Sequence, residues 1–213
     1  MKTRMAYVFV TLMCLSMLAV GCKKQVEEPY PAYTAQQYYD MGMQAFTAED
    51  FVQATQLFEA AVSMSPSMAD AHYYLGLCYL KQNMLRKAED SLATALRYNP
   101  GLVRAREALG ILFYTKGDYF QARRELEQCR AMYSTNPQVY YYLGNIYLAE
   151  GNCPAALAMF TRALELDPAS LPARQGYDEA KRSCGKGPAK PAPQPRIEKS
   201  FKGGGKAIDP SEF

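Results

Sequence analysis

The stretch PQVYYYLGNIYLAEGNCPAALAMFTRALELDPAS, residues 137–170, decides the fold. In its first half Tyr140, Leu143, Gly144 and Tyr147 recur at i, i+3, i+4 and i+7, the spacing that gathers side chains on one face of an α-helix. Its second half repeats that logic with Ala156, Phe160 and Ala163. Between them Glu150-Gly151-Asn152 offers a glycine suited to the left-handed turn after a helix end. The reading is a helical hairpin. Small residues at Gly144, Ala156 and Ala163 let its two helices approach closely, while the large residues fill the space on either side.

Working outward, the same unit recurs. Met41-Gly42, Leu75-Gly76, Leu109-Gly110 and Leu143-Gly144 stand 34 residues apart. Each glycine is followed three residues on by Ala45, Tyr79, Phe113 or Tyr147, and twelve on by Ala54, Ala88, Ala122 or Ala156. Sixteen on come Phe58, Leu92, Leu126 and Phe160, and Pro66, Pro100 and Pro168 close three of the units. Equal spacing of this kind marks a repeat array in which each hairpin buries its apolar face on the next. The units run 35–68, 69–102, 103–136 and 137–170, and predict helices over 35–48, 51–64, 69–82, 85–98, 103–116, 119–133, 137–150 and 153–167. A ninth helix follows over 171–184, with Pro172 in its first turn and a run, ARQGYDEAKRS, that is polar on all but one face.

These units resemble tetratricopeptide repeats. The resemblance implies an all-α protein, a right-handed α-solenoid of four repeats closed by a C-terminal capping helix. Where the family often has tryptophan this sequence has Tyr38, His72, Arg106 and Tyr140; Ser134 stands where proline is usual, and Pro137 opens the fourth unit instead.

Both flanks differ from the repeats. Lys2 and Arg4 precede an apolar stretch, Met5 to Val20, that runs into Leu18-Ala19-Val20-Gly21-Cys22 and then Lys23-Lys24. This resembles the bacterial lipobox, with Ala19 where most members have leucine. It implies a signal peptide over 1–21, a lipidated N-terminal Cys22 and a tether over 22–34; an uncleaved membrane anchor is the alternative. Acyl chains at about 0.8 kcal/mol per buried CH₂ hold a protein on a bilayer without a spanning helix. Lys23 after the cysteine points, by resemblance to enterobacterial sorting, to the outer rather than the inner membrane. The expected location is the bacterial cell envelope, with the repeats in the periplasm. Residues 185–213 carry six basic and three acidic residues, five prolines and Gly203-Gly204-Gly205, the composition of a disordered tail. Its Lys199 to Phe213 end reads either as a docking peptide or as a solubilising extension.

Chemistry finds little purchase. One histidine, no tryptophan and a net charge of +3 leave no His pair for catalysis or metal binding and no footprint for nucleic acid. His72 falls at an interior position, Tyr73 and Tyr74 beside it at framework and surface positions. Cys78 and Cys129 sit in non-adjacent helices and read as two buried thiols. We therefore expect no catalytic residues, no metal, no cofactor and no small-molecule substrate. Cys153 at the start of the eighth helix and Cys184 at the end of the capping helix terminate two antiparallel arms of equal length. In an oxidising compartment they are expected to pair, closing a loop of roughly 30 residues worth on the order of 3 kcal/mol.

Binding is expected on a second stripe of each first helix, at unit positions five, nine and twelve, rotated about 100° from the interior stripe. It reads Tyr39, Met43, Phe46; Tyr73, Leu77, Leu80; Glu107, Ile111, Tyr114; and Tyr141, Asn145, Leu148. By resemblance this is the concave wall, although positions nine and twelve also suit packing against the next first helix. The chaperone adaptors of this family line it with Lys and Asn to clamp a peptide carboxylate, a pattern only Asn145 fits. The function read from the sequence is a membrane-anchored, non-enzymatic scaffold holding another cell-envelope protein or peptide. Alternatives are a lipoprotein resembling the pilotins of type IV pilus secretins, which usually carry about six repeats, and an accessory subunit of a peptidoglycan-active complex. If Cys22 carries the lipid, Cys22→Ser releases the protein from the membrane fraction and abolishes partitioning into the detergent phase; unchanged partitioning contradicts the anchor.

Overall fold

The computed structural model describes residues 33–184, and within them nine helices follow one another: α1 (Ala35–Thr47), α2 (Phe51–Met64), α3 (Ala69–Lys81), α4 (Leu85–Tyr98), α5 (Val103–Thr115), α6 (Tyr119–Ala131), α7 (Pro137–Ala149), α8 (Cys153–Leu166) and α9 (Leu171–Cys184). The signal peptide, Cys22, nearly all of the tether and the tail lie outside the described residues. The described part is all-α, with antiparallel helix pairs stacked as a solenoid. Each hairpin's two helices pack most heavily on one another, and each second helix packs next on the first helix of the following pair. The last turns differ from expectation. First helices end one residue early, and α6 stops at Ala131 rather than 133 because Tyr133 turns left-handed (φ 57°) and the Ser134 N–H bonds back to the Cys129 carbonyl at 3.0 Å.

The hairpin turns repeat residue for residue. Unit position fifteen is left-handed in every unit, at Glu49 (φ 60°), Asn83 (58°), Gly117 (80°) and Gly151 (73°). The next N–H, from Asp50, Met84, Asp118 or Asn152, reaches the carbonyl of Ala45, Tyr79, Phe113 or Tyr147 at 2.8–2.9 Å, which ties off the helix end. The same residue then caps the following helix: the side chains of Asp50, Asp118 and Asn152 accept from the N–H of Gln53, Gln121 and Ala155. Met84 has no side chain able to do so, and α4 starts without that bond.

Inside each hairpin the glycine meets the large residue sixteen positions later. A Cβ at Gly42, Gly76, Gly110 or Gly144 would stand 2.7–2.8 Å from Phe58, Leu92, Leu126 or Phe160, closer than side chains pack. All four large residues are wholly buried. Phe160 is pinned from a second side, since a Cβ on Gly176 of α9 would come within 2.5 Å of it.

Between hairpins, unit position four varies among histidine, arginine and tyrosine but makes one bond. His72 Nε2, Arg106 Nη2, Tyr140 Oη and Arg174 Nη2 lie 2.9, 2.9, 2.8 and 3.1 Å from the carbonyl oxygens of Pro66, Pro100, Ser134 and Pro168, six residues upstream. A carbonyl only accepts, so His72 carries its proton on Nε2. His72 is thus a turn-closing residue, half-buried and stacked on Tyr98 at 5.7 Å. Arg174 lies 34 residues beyond Tyr140, so α9 continues the repeat phase and packs on α8 and α7 as the first helix of a fifth unit would. A disulfide joins Cys153 at the start of α8 to Cys184 at the end of α9, their Cα atoms 5.7 Å apart. Cys78 and Cys129 are buried free thiols. None of the described helices is long and apolar enough to cross a membrane.

Two predictions follow from this packing. Gly110→Ala gains roughly 1 kcal/mol of helix propensity but overfills a site where such changes cost about 1–3 kcal/mol, so a lower urea midpoint is expected, and a higher one contradicts the close-contact account. Burial also pushes the Cys78 and Cys129 thiols from 9.0 up to about 12, and the Tyr39 and Tyr73 phenols from 10.0 up to about 12. The folded chain keeps these protons at pH values where the unfolded chain loses them. Stability is therefore fully present below about pH 9 and is lost as pH rises toward 12, read as a falling urea midpoint; a flat profile over that window contradicts it.

Candidate functional site

The first helices α3, α5 and α7 and the turns that precede α7 and α9 enclose a groove of about 380 Å³. Its floor is apolar, made by Leu77 of α3 with Ala108 and Ile111 of α5, all buried. Tyrosines wall it: Tyr73 from α3, and Tyr141 and Tyr142 from α7. The rim is polar, with Arg104, Glu107, Gln138, Asn136, Asp167 and Ser170.

Local geometry fixes the charged groups. The Arg104 guanidinium lies over the Tyr73 ring, 5.4 Å from its centroid, and reaches Asp70 at 3.8 Å. Burial raises the Tyr73 phenol, and Arg104 pulls it back only partly. Opposite, the Glu107 carboxylate accepts from the Ser134 hydroxyl at 2.5 Å and from Asn136 Nδ2 at 3.2 Å. Ser134 itself is buried; its oxygen also accepts from the Asn136 N–H at 3.1 Å, and its carbonyl takes the Tyr140 bond. Asp167 accepts from the Ala169 N–H at 3.0 Å. Among the described residues neither Glu107 nor Asp167 has a lysine or arginine within salt-bridge distance. The groove therefore offers aromatic faces, one arginine already paired, and two carboxylates held by neutral donors. No group of three or more His, Cys, Asp or Glu among the described residues is placed to hold a metal ion.

The predicted stripe divides between this groove and the packing around it. Tyr73, Leu77, Glu107, Ile111 and Tyr141 line the groove. Leu80 does not: it is buried at 3% exposure, because position twelve of the second unit is taken up by packing. Tyr39 and Phe46 pack on Tyr74 at 6.0 and 5.4 Å, and Tyr74 stacks on Phe58, so the first unit's stripe belongs to an aromatic cluster. Met43 is half-buried beside them on α1. Tyr114 lies against Tyr142 at 4.6 Å, Asn145 is half-buried on α7, and Leu148 packs on the Ala156, Phe160 and Ala180 cluster beneath α9. Tyr141 touches that cluster too, its ring 6.3 Å from Phe160. Arg104 and Gln138 were outside the expected stripe. They occupy unit position two, three residues before position five and on the same face, so extending the stripe by one turn finds them. Asn136, Asp167 and Ser170 come from inter-repeat turns, which helical periodicity does not reach.

Comparison with known proteins agrees with this architecture. Two tetratricopeptide repeat family models match, one over residues 45–110 and one over 107–170. BBSome complex member BBS4 of Bos taurus is 27% identical over 119 residues, covering 56% of this chain and 23% of that protein. Tetratricopeptide repeat protein 7B of Homo sapiens is 29% identical over 121 residues, covering 57% of this chain and 14% of that protein. The chain thus spans less than a quarter of either relative. Among solved structures, that of MamA protein superposes with a TM-score of 0.64 at 21% identity, covering 71% of this chain and 82% of that one. YrrB, described as a TPR protein with an unusual peptide-binding site, superposes with a TM-score of 0.62 at 20% identity, covering 70% and 76%. A tetratricopeptide repeat protein from Parabacteroides merdae gives 0.62 at 20%, covering 71% and 60%. With family models that together cover residues 45–170, more than half of its length, the chain belongs to the tetratricopeptide repeat family.

Proposed function

We propose that this protein is a lipid-anchored scaffold of the bacterial cell envelope that holds an extended segment of another envelope protein in the groove between α3 and α9. Proteins of this family mediate protein–protein interaction and are generally non-catalytic. The observation that carries the finer reading is the groove itself: tyrosines on an apolar floor with fixed polar groups at the rim, the combination that gives binding energy from aromatic contact and orientation from hydrogen bonds. YrrB, of like fold, is described as having a peptide-binding site, which supports a peptide as the occupant. The anchor rests on the Leu18 to Cys22 sequence and the outer-membrane address on Lys23. In this arrangement the lipid concentrates the repeats at one membrane surface, and no chemistry is required of them.

Tyr73 is only 9% exposed, so its truncation would mix binding with stability. Arg104, whose side chain is 58% exposed, and the half-buried Tyr141 separate the two better. Arg104→Ala with Tyr141→Ala is expected to keep the helical signal yet weaken capture of the partner from solubilised membranes at least tenfold, a change of about 1.4 kcal/mol. Phe120→Ala, at an exposed site on α6 outside the groove, leaves capture unchanged. Undiminished capture by a folded Arg104→Ala, Tyr141→Ala protein contradicts the groove as the binding surface.

A further inference from the structure

We propose that the groove is occupied, in the absence of a partner, by the chain's own Lys190-Pro191-Ala192-Pro193-Gln194-Pro195-Arg196 segment acting in cis as a competitor; this rests on the groove being a peptide site. The chemistry of the groove selects the occupant. Glu107 and Asp167 present carboxylates that no described lysine or arginine satisfies, while the one arginine at the rim is paired with Asp70. An anionic segment would bring its charge against these two, whereas a cationic one completes them. Three tyrosines line the walls. Flat aromatic surfaces are what proline-rich segments dock on, because a polyproline II strand is preformed and loses little entropy on binding. A basic, proline-rich, extended ligand is therefore the class that fits, and the chain carries one: three prolines in alternation, bracketed by Lys190 and Arg196.

Its reach matches. The groove is touched by Pro172 at the start of α9, and the tail leaves from Cys184 at its end. At about 1.5 Å per residue that helix separates the two by about 18 Å. A returning strand at about 3.1 Å per residue covers this in about six residues, so Lys190 is the first residue able to enter, and the run to Arg196 adds about 20 Å. The departure point is fixed as well, because the disulfide ties Cys184 to Cys153 and keeps the last turn of α9 from fraying. A short tether of this kind gives an effective concentration in the millimolar range, enough for a weak segment to fill its own groove ahead of a second copy.

The test uses the full chain and a fluorescently labelled synthetic peptide of the Pro188 to Glu198 sequence. A protein with Lys190, Pro191, Pro193, Pro195 and Arg196 all changed to serine is expected to bind the peptide at least tenfold more tightly than the unaltered protein, whose groove is already filled. Adding Glu107→Gln to the serine-substituted tail weakens that binding several-fold, and raising the salt weakens it further. Equal affinity for the unaltered and tail-substituted proteins overturns the proposal, and so does failure of the tail-substituted protein to bind the peptide. Sedimentation of the unaltered protein as a dimer that the tail-substituted protein does not form also overturns it, since the occupant would then be another chain's tail. Envelope-partner capture that still depends on Arg104 and Tyr141 in any of these cases leaves the groove as a binding site and removes only its self-occupancy.

Discussion

Everything in this solenoid depends on one contact, the close approach of a glycine on each first helix to a large apolar side chain on the second. Gly42 with Phe58, Gly76 with Leu92, Gly110 with Leu126 and Gly144 with Phe160 leave no room for even a methyl group. The contact sets the distance between the helices of a pair and the rotation of each first helix about its axis. Since rotation decides which residues face inward, it also decides that Tyr73, Glu107 and Tyr141, three residues before their unit's glycine, face one groove. The groove is a consequence of the core.

A second layer of order comes from hydrogen bonds that tolerate a change of residue. The turn between hairpins is closed by histidine, arginine, tyrosine and arginine in succession, each reaching the same carbonyl position. The requirement is a donor of sufficient length, which several residue types meet. Ser134 illustrates the same economy in reverse. It interrupts the proline pattern and shortens α6, yet its hydroxyl and carbonyl hold Glu107, Asn136 and Tyr140 together at the rim. The irregular turn is the one that holds the Glu107 carboxylate of α5 in place at the groove.

This explains what was legible in the sequence. Period and glycine spacing made the all-α repeat architecture readable, because each of those positions is constrained by a wall of atoms. The turn at Gly151 was readable for a different reason, the left-handed backbone it adopts with nothing crowding it, whereas the capping side chains of Asp50, Asp118 and Asn152 follow from the turn geometry and were not read. The site was readable only in part. Positions five and nine gave Tyr73, Leu77, Ile111 and Tyr141, but whether a stripe residue is free or packed depends on how far the next hairpin leans over it, and a helical period carries no such information. Leu80 and Phe46 went to packing on that account. Asp167, Ser170 and Asn136 reach the groove from turns, whose side chains follow no helical period.

The most direct test of the central contact is a double-mutant cycle between Gly110 and Leu126, measured as urea-unfolding free energies of the four proteins. Gly110→Ala alone crowds the site, and Leu126→Ala alone opens a cavity of the kind that costs about 2–5 kcal/mol. If the two residues define the helix spacing, the alanine methyl occupies part of the space that the lost leucine leaves. The double variant is then more stable than the sum of the single losses by at least about 1 kcal/mol. Additivity within about 0.5 kcal/mol would mean that the pair does not set the geometry of the hairpin, and would contradict the account.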